Sequence, residues 1–196
     1  MANDNVKGVT QLGKAIYPHL NKADVRFQKE GVYKVTLELA PDSAKELLKH
    51  IDDGVKQALK ESNSKSTKTA NLPYKTNEDG NLEVNFKCKA SGVTKTGQAW
   101  TQKPKVFDSK GTPLAKGILV WGGTTMKVAY EVIPYSNNML GSGVSLRLKA
   151  VQVHELVSGG GGGTGAVGSN ASSGTVGNGG VGNSTFISSS AAATTA

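Results

Sequence analysis

The chain has 196 residues, a net charge of +8 and one cysteine. Residues 1 to 156 hold every charged side chain, the length of one ordinary domain, whereas residues 157–196 are a neutral Gly/Ser/Ala-rich stretch too poor in apolar surface to offset the entropy of ordering. Cys88 alone excludes an internal disulfide and any zinc site with two thiolates, and fits a reducing compartment; without a run of about 18 apolar residues or a charged-then-apolar leader, neither a spanning helix nor a signal peptide is expected.

In chain order, the first clear element is Gly31 to Ala40, whose alternation places Tyr33, Val35, Leu37 and Leu39 on a core face and Lys34, Thr36 and Glu38 opposite. Pro41-Asp42-Ser43 then opens an amphipathic helix predicted from Ala44 to Glu61. Ser43 and Glu46 match a capping box, and Leu47, Ile51, Val55 and Leu59 recur every four residues. Gly54 weakens this helix by about 1 kcal/mol relative to Ala. The mixed charges of Lys45, Lys49, Asp52, Asp53, Lys56 and Lys60 read as a solvated face. Ser62 to Asn71 is polar and reads as a mobile loop.

Leu82 to Ala90 alternates again, with Leu82, Val84, Phe86, Cys88 and Ala90 inward and Lys87 and Lys89 outward. Gly92 to Gly97 is hairpin-like. Val106-Phe107 ends a strand that turns at Asp108-Ser-Lys-Gly111, and Ile118 to Trp121 is a short apolar run, predicted as a buried strand. Met126, Val128, Tyr130 and Val132 share one face of the next strand. In the last, Val144, Leu146, Leu148 and Ala150 face one way and Arg147 and Lys149 the other. Strands do not alternate with helices, which argues against a doubly wound fold. The expected fold is all-β dominated: an OB-fold, a five-stranded antiparallel barrel, with one amphipathic helix and long loops.

Enzyme chemistry finds no support. His19, His50 and His154 stand in no metal-ligand spacing, and His50 and His154 read as isolated surface histidines. Nucleophile-elbow and phosphate-loop motifs are absent. Gly122-Gly123 reads as a strand-end turn. Asp52-Asp53 point about 100° apart on a helix, a poor carboxylate pair. The Asn-x-Ser/Thr matches at Asn170 and Asn183 are chance in a Ser-rich stretch. No cofactor or metal is expected.

The charge is unevenly placed. Met1 to Glu83 holds 13 basic and 12 acidic residues; Val84 to Lys149 holds 10 basic residues against only Asp108 and Glu131. Clustering of this kind points to a polyanion, nucleic acid before an anionic membrane. Lys87-Cys-Lys-Ala-Ser-Gly-Val-Thr-Lys-Thr-Gly-Gln-Ala-Trp-Thr-Gln-Lys-Pro-Lys105 has five lysines, one tryptophan and no acid. Single-stranded nucleic acid asks for that combination: cations along its phosphates and rings stacked on unpaired bases, each worth about 1–3 kcal/mol. The candidate phosphate contacts are Lys87, Lys89, Lys95, Lys103, Lys105, Lys127, Arg147 and Lys149. Trp100 either stacks on a base or plugs one barrel end. Tyr135, after Pro134 in a loop-like context between basic strands, is the stronger stacking candidate. Phe107, Trp121, Tyr33 and Tyr130 are assigned to packing.

Gly31-Val-Tyr-Lys-Val-Thr-Leu37, Val106-Phe-Asp-Ser-Lys-Gly111, Gly122-Gly-Thr-Thr-Met-Lys-Val-Ala-Tyr-Glu-Val-Ile-Pro-Tyr135 and Gly141 to Glu155 resemble, in the same order, the single-stranded DNA-binding protein family of T7-like bacteriophages. The resemblance spans roughly residues 25–160. It implies an OB-fold that binds single-stranded DNA without sequence preference in phage replication and recombination, in the cytoplasm of the infected bacterium. It also implies contacts with the phage polymerase and helicase-primase, and places Tyr135 at the DNA-binding face. A homodimer is compatible with it. Ala129 stands where the family pattern has a lysine, while Lys127 is retained. The acidic terminal segment typical of the family is replaced here by neutral residues in which Phe186-Ile187 is the one sizeable apolar pair, a docking contact or nothing. The competing readings are a β-rich virion structural or assembly protein with a flexible tail, and an OB module for duplex or RNA.

Overall fold

The computed structural model describes residues 5–26, 28–61, 68–115, 117–137 and 139–157. Its elements in chain order are β1 (Lys7–Val9), β2 (Gly13–Asp24), β3 (Val32–Leu39), α1 (Pro41–Glu61), β4 (Tyr74–Thr76), β5 (Leu82–Lys89), β6 (Ser91–Val93), β7 (Ala99–Thr101), β8 (Lys105–Phe107), β9 (Thr125–Asn137) and β10 (Gly141–Glu155). Five of them close a ring. β9 pairs with β2, β2 with β3 and β3 with β5, while β10 joins β9 antiparallel and meets β5 in parallel at Arg147 and Lys87. A five-stranded barrel with one parallel closure is the OB-fold. β1 and β8 extend it along β9 and β10, β4 lies on β5, and β6–β7 form a separate hairpin.

The alternating faces read from sequence line the barrel. Val35, Leu37, Leu39, Val84, Phe86, Met126, Val128, Tyr130 and Val132 are all buried. In β10 the parity changes. A register shift between Leu148 and Ala150 turns Ala150 out of the core and puts Val151 and Val153 in, after Val144, Leu146 and Leu148. Such a bulge inserts one residue and flips everything after it.

The helix begins three residues before the expected Ala44. Ala40 accepts from the Ala44 amide, and Pro41 takes the first helical position, where a missing N–H costs nothing. Ser43 therefore lies inside the helix and the capping-box reading is superseded. The packed face is Ala44, Leu47, Ile51, Gly54 and Ala58. A Cβ at Gly54 would stand 2.8 Å from methyls of both Val132 and Val144, so this glycine permits close approach of helix to barrel.

Three other expectations change. Ile118 to Trp121 forms no strand. It is held by the Asn21 amide, which donates to the Ile118 carbonyl (2.7 Å) and accepts from the Val120 N–H (2.9 Å). Only Val120 of this run is buried; Trp121 is 45% exposed and is not core. Phe107 is half-buried and stands outside the core cluster. His50 is no isolated surface histidine: its Nδ1 lies 2.8 Å from the buried Tyr130 hydroxyl, whose pKa burial pushes up to about 12. In the predicted loop, residues 62–67 lie outside the described residues, while residues 68–70 are bonded to Ser142 of β10. Phe186-Ile187, Asn170 and Asn183 also lie outside them.

Candidate nucleic-acid interface

The register places a line of ionic side chains across the outer wall. Lys34 of β3 faces Lys87 of β5, Lys87 faces Arg147 of β10, Arg147 faces Glu131 of β9, and Glu131 faces Lys7 of β1. Neighbouring strands lie about 4.8 Å apart, and like charges directly opposite one another are unfavourable. Two buried carboxylates offset this at the flanks. Asp24 accepts from Lys34 Nζ (2.7 Å) and from the Arg26 guanidinium (3.0 Å). The Arg26 and Lys34 hydrogen bonds hold its carboxyl far below the usual range. Glu131 accepts from the Asn5 amide (3.1 Å) and Arg147 Nη1 (3.2 Å), with Lys149 Nζ at 3.7 Å. The Asn5 bond lowers its pKa; burial opposes this, and the charges of Arg147, Lys149 and Lys7 reinforce it. Lys87, between these two corners, has no carboxylate partner among the described residues.

Two hollows meet at Lys87. One, of about 510 Å³, is lined by Gln28, Val32, Lys87, Cys88, Lys89, Trp100, Gln102, Ile133, Ser145 and Arg147. The other, of about 700 Å³, includes Tyr17, Val32, Lys34, Thr36, Asn71, Leu72, Asn85, Lys87, Tyr135, Leu140 and Ser145. Val32, Lys87 and Ser145 belong to both, so the two form one furrow. Trp100, on the hairpin rather than in the barrel, plugs no barrel end. It is half-buried, lies against Gly92 and lines the first hollow. Tyr135, also half-buried, lines the second.

Of the ten residues singled out in the sequence, five line this furrow: Lys87, Lys89, Trp100, Tyr135 and Arg147. Lys89 is ion-paired with Glu30 at 3.2 Å. Lys149 shares Glu131 with Arg147 beside it. Lys95, in the β6–β7 turn, and Lys103 and Lys105, around the buried Pro104, are exposed but line neither hollow. Lys127 lines a third hollow, of about 310 Å³, with Val9, Phe107 and Ala129.

Tyr17 and Lys34 also line the furrow and are not among the ten. Tyr17 is 81% exposed and the one described non-glycine residue with positive φ, at 47°. β2 advances from Ile16 to His19 while β3 moves only from Thr36 to Lys34. The extra residue forms a bulge that throws the ring outward, and Pro18 has no N–H for the ladder to lose. A bulky residue in left-handed backbone is uncommon and clusters at functional sites. The sequence signal was a tyrosine before a proline inside an otherwise strand-like run. The alternation of β3 turns Lys34 outward, and only the cross-strand register brings it opposite Lys87.

A furrow with rings at both ends, a cation at its centre and no enclosed cavity accepts a flexible polyanion with flat, unpaired faces. Among the described residues, no group of three or more His, Cys, Asp or Glu side chains gathers as metal ligands would. By topology and wall chemistry the protein is an OB barrel of the nucleic-acid-binding kind. Residues 12–156 match the family described as Single-stranded DNA-binding protein, Bacteriophage T7, and the chain belongs to that family. The chain is 29% identical over 176 residues to the single-stranded DNA-binding protein of Enterobacteria phage T3, covering 75% of this chain and 74% of that one. With the Escherichia phage T7 protein it is 36% identical over 97 residues, 46% of this chain and 40% of that one. The crystal structure of T7 gp2.5, a single-stranded DNA binding protein, superposes with TM-score 0.70 at 30% identity, covering 81% of this chain and 91% of that one. The bacteriophage Enc34 single-stranded DNA-binding protein in complex with ssDNA shares the fold, with TM-score 0.55 at 17% identity over 78% of this chain and 86% of that one.

Proposed function

We propose that this chain binds single-stranded DNA without sequence preference and without catalysis, and serves phage DNA replication and recombination in the cytoplasm of the infected bacterium. The observation that carries this reading is Lys87: a cation at the junction of two hollows, flanked by Lys34 and Arg147, with no carboxylate of its own among the described residues. A phosphate there relieves the repulsion that the fold leaves in place. Lys87, Lys89 and Arg147 contact the backbone; Trp100, Tyr135 and Tyr17 stack on bases. Lys149 supports this path, and Lys95, Lys103, Lys105 and Lys127 lie along its approaches and extend the attraction of the wall at low salt. Family membership supports contacts with the phage polymerase and helicase-primase, and pairing of two copies.

The test is a fluorescence titration with poly-dT across salt, with duplex DNA and single-stranded RNA as competitors. Stacking in the Trp100 hollow quenches emission. Affinity falls with salt by about 0.7 log units per log unit for each phosphate neutralised. Equal competition by duplex removes the single-strand reading and favours a duplex module. Self-assembly without poly-dT binding favours a virion component.

A further inference from the structure

The two rings that the sequence singled out are mounted in the same way. Trp100 stands directly across from Gly92 in the β6–β7 ladder, and Tyr135 directly across from Gly143 in the β9–β10 ladder. Each ring lies against the bare Cα of its partner. A Cβ on Gly92 would come within 2.6 Å of Cζ2 and 2.9 Å of Cε2 of Trp100. A Cβ on Gly143 would come within 3.1 Å of Oη and 3.2 Å of Cζ of Tyr135. Neither glycine has a positive φ, so backbone conformation does not ask for glycine at these places. Glycine weakens a strand interior and is found there where something must approach closely; here that something is a ring.

On the reading that these rings stack on bases, we propose that Gly92 and Gly143 are positioning residues for binding. Each forms a seat that holds its ring against the strand with the opposite side turned to the furrow. A ring backed in this way offers a platform to one unpaired base and does not wedge between two stacked base pairs, as the intercalating side chains of duplex-bending proteins do. A third glycine serves as an internal control. Gly8 stands across from Tyr130, and a Cβ there would lie 2.6 Å from Oη, but that ring is buried and bonded to His50.

The experiment is a titration of full-length protein with a labelled dT oligonucleotide at several salt concentrations, with Gly92→Ala and Gly143→Ala carried alone and in cycles with Trp100→Ala and Tyr135→Ala. Gly143→Ala also brings a methyl within 2.9 Å of Ala70 Cβ, so Gly143→Ala/Ala70→Gly is measured beside it. A ring pushed off its seat loses part of a stacking energy of about 1–3 kcal/mol, which reads as about a five- to tenfold loss of affinity. The salt slope stays at the wild-type value, Gly92→Ala shifts the Trp100 emission, and neither glycine variant loses more once its ring is gone. Gly8→Ala lowers the melting temperature and leaves affinity unchanged. Glycine variants that bind like wild type while the ring variants are weak overturn the seats and spare the stacking. Losses that add to those of the ring variants also overturn them, because the glycines then act by another route. Ring variants that bind like wild type end both ideas.

Discussion

The two hollows of the furrow share Val32, Lys87 and Ser145 and are otherwise built from different materials. The one around Tyr17 and Tyr135 has an apolar rim of Leu72 and Leu140, and its second cation, Lys34, is already tied to Asp24. The one around Trp100 has a single ring and three cations: Lys87, the exposed Lys89, which holds the exposed Glu30, and Arg147, which shares Glu131 with Lys149. On the proposed reading, base contact is expected to concentrate in the tyrosine hollow, and charge neutralisation in the Trp100 hollow and at the junction. In a site of the proposed kind, the two terms are separable because salt screens one and leaves the other nearly untouched.

The variant that tests this division most severely is Tyr135→Ala. It is expected to weaken poly-dT binding about 5- to 150-fold, equivalent to about 1–3 kcal/mol, with the salt slope unchanged. Tyr17→Ala is expected to act in the same direction and to combine with it less than additively, since both rings line one hollow. A reduced slope for either tyrosine variant in an anisotropy titration would collapse the distinction between the hollows.

Lys87→Ala comes next. It removes one phosphate contact, so the slope drops by about 0.7 and affinity falls roughly fivefold at 0.1 M salt. Lys34→Ala is expected to change the slope less, because in the free protein Asp24 already neutralises this side chain. Equal slope changes for the two lysines would show that the Asp24 pair opens when DNA binds.

Much of the barrel was legible from sequence because three of its strands alternate without interruption around Val35, Phe86 and Val128. The rest was hidden where two requirements compete. β2, the first barrel strand, carries Pro18, a left-handed Tyr17 and several unpaired residues between His19 and Asp24, so its period breaks twice. The bulge after Leu148 likewise exchanges Ala150 for Val151 in the core. The apolar neighbours of Trp121 point to packing, yet Asn21 mimics a strand partner and leaves the indole outside. Lysines along the 87–105 stretch were legible as a basic path, but only cross-strand register selects Lys87 and Lys89 for the furrow. Nothing in a one-dimensional reading brings Glu131 under Arg147 and Lys149, or Asn5 beside it.

That buried glutamate supplies the smallest expected change in binding and a separate test of the charged side of the furrow. Glu131→Gln removes the one acid from the central line and frees Arg147 and Lys149 for phosphate. Affinity at low salt is expected to rise about two- to threefold and the slope to increase by no more than about 0.7. The same change removes charge-assisted hydrogen bonds and lowers stability at neutral pH by about 2 kcal/mol. The pH dependence has a definite sign. Folding depresses the Glu131 pKa, so its stabilisation is fully present above its ordinary value of about 4.5 and is lost as pH falls through the lower folded value. Asp24 is depressed in the same sense and much further, so its loss continues at lower pH. In denaturant titrations from pH 7 downward, wild-type stability should decline from about pH 5. The Glu131→Gln profile should start lower and fall less steeply through that upper part, where Glu131 acts. Parallel profiles for the two proteins would mean that Glu131 is not the buried, cation-held group that keeps the line of like charges together.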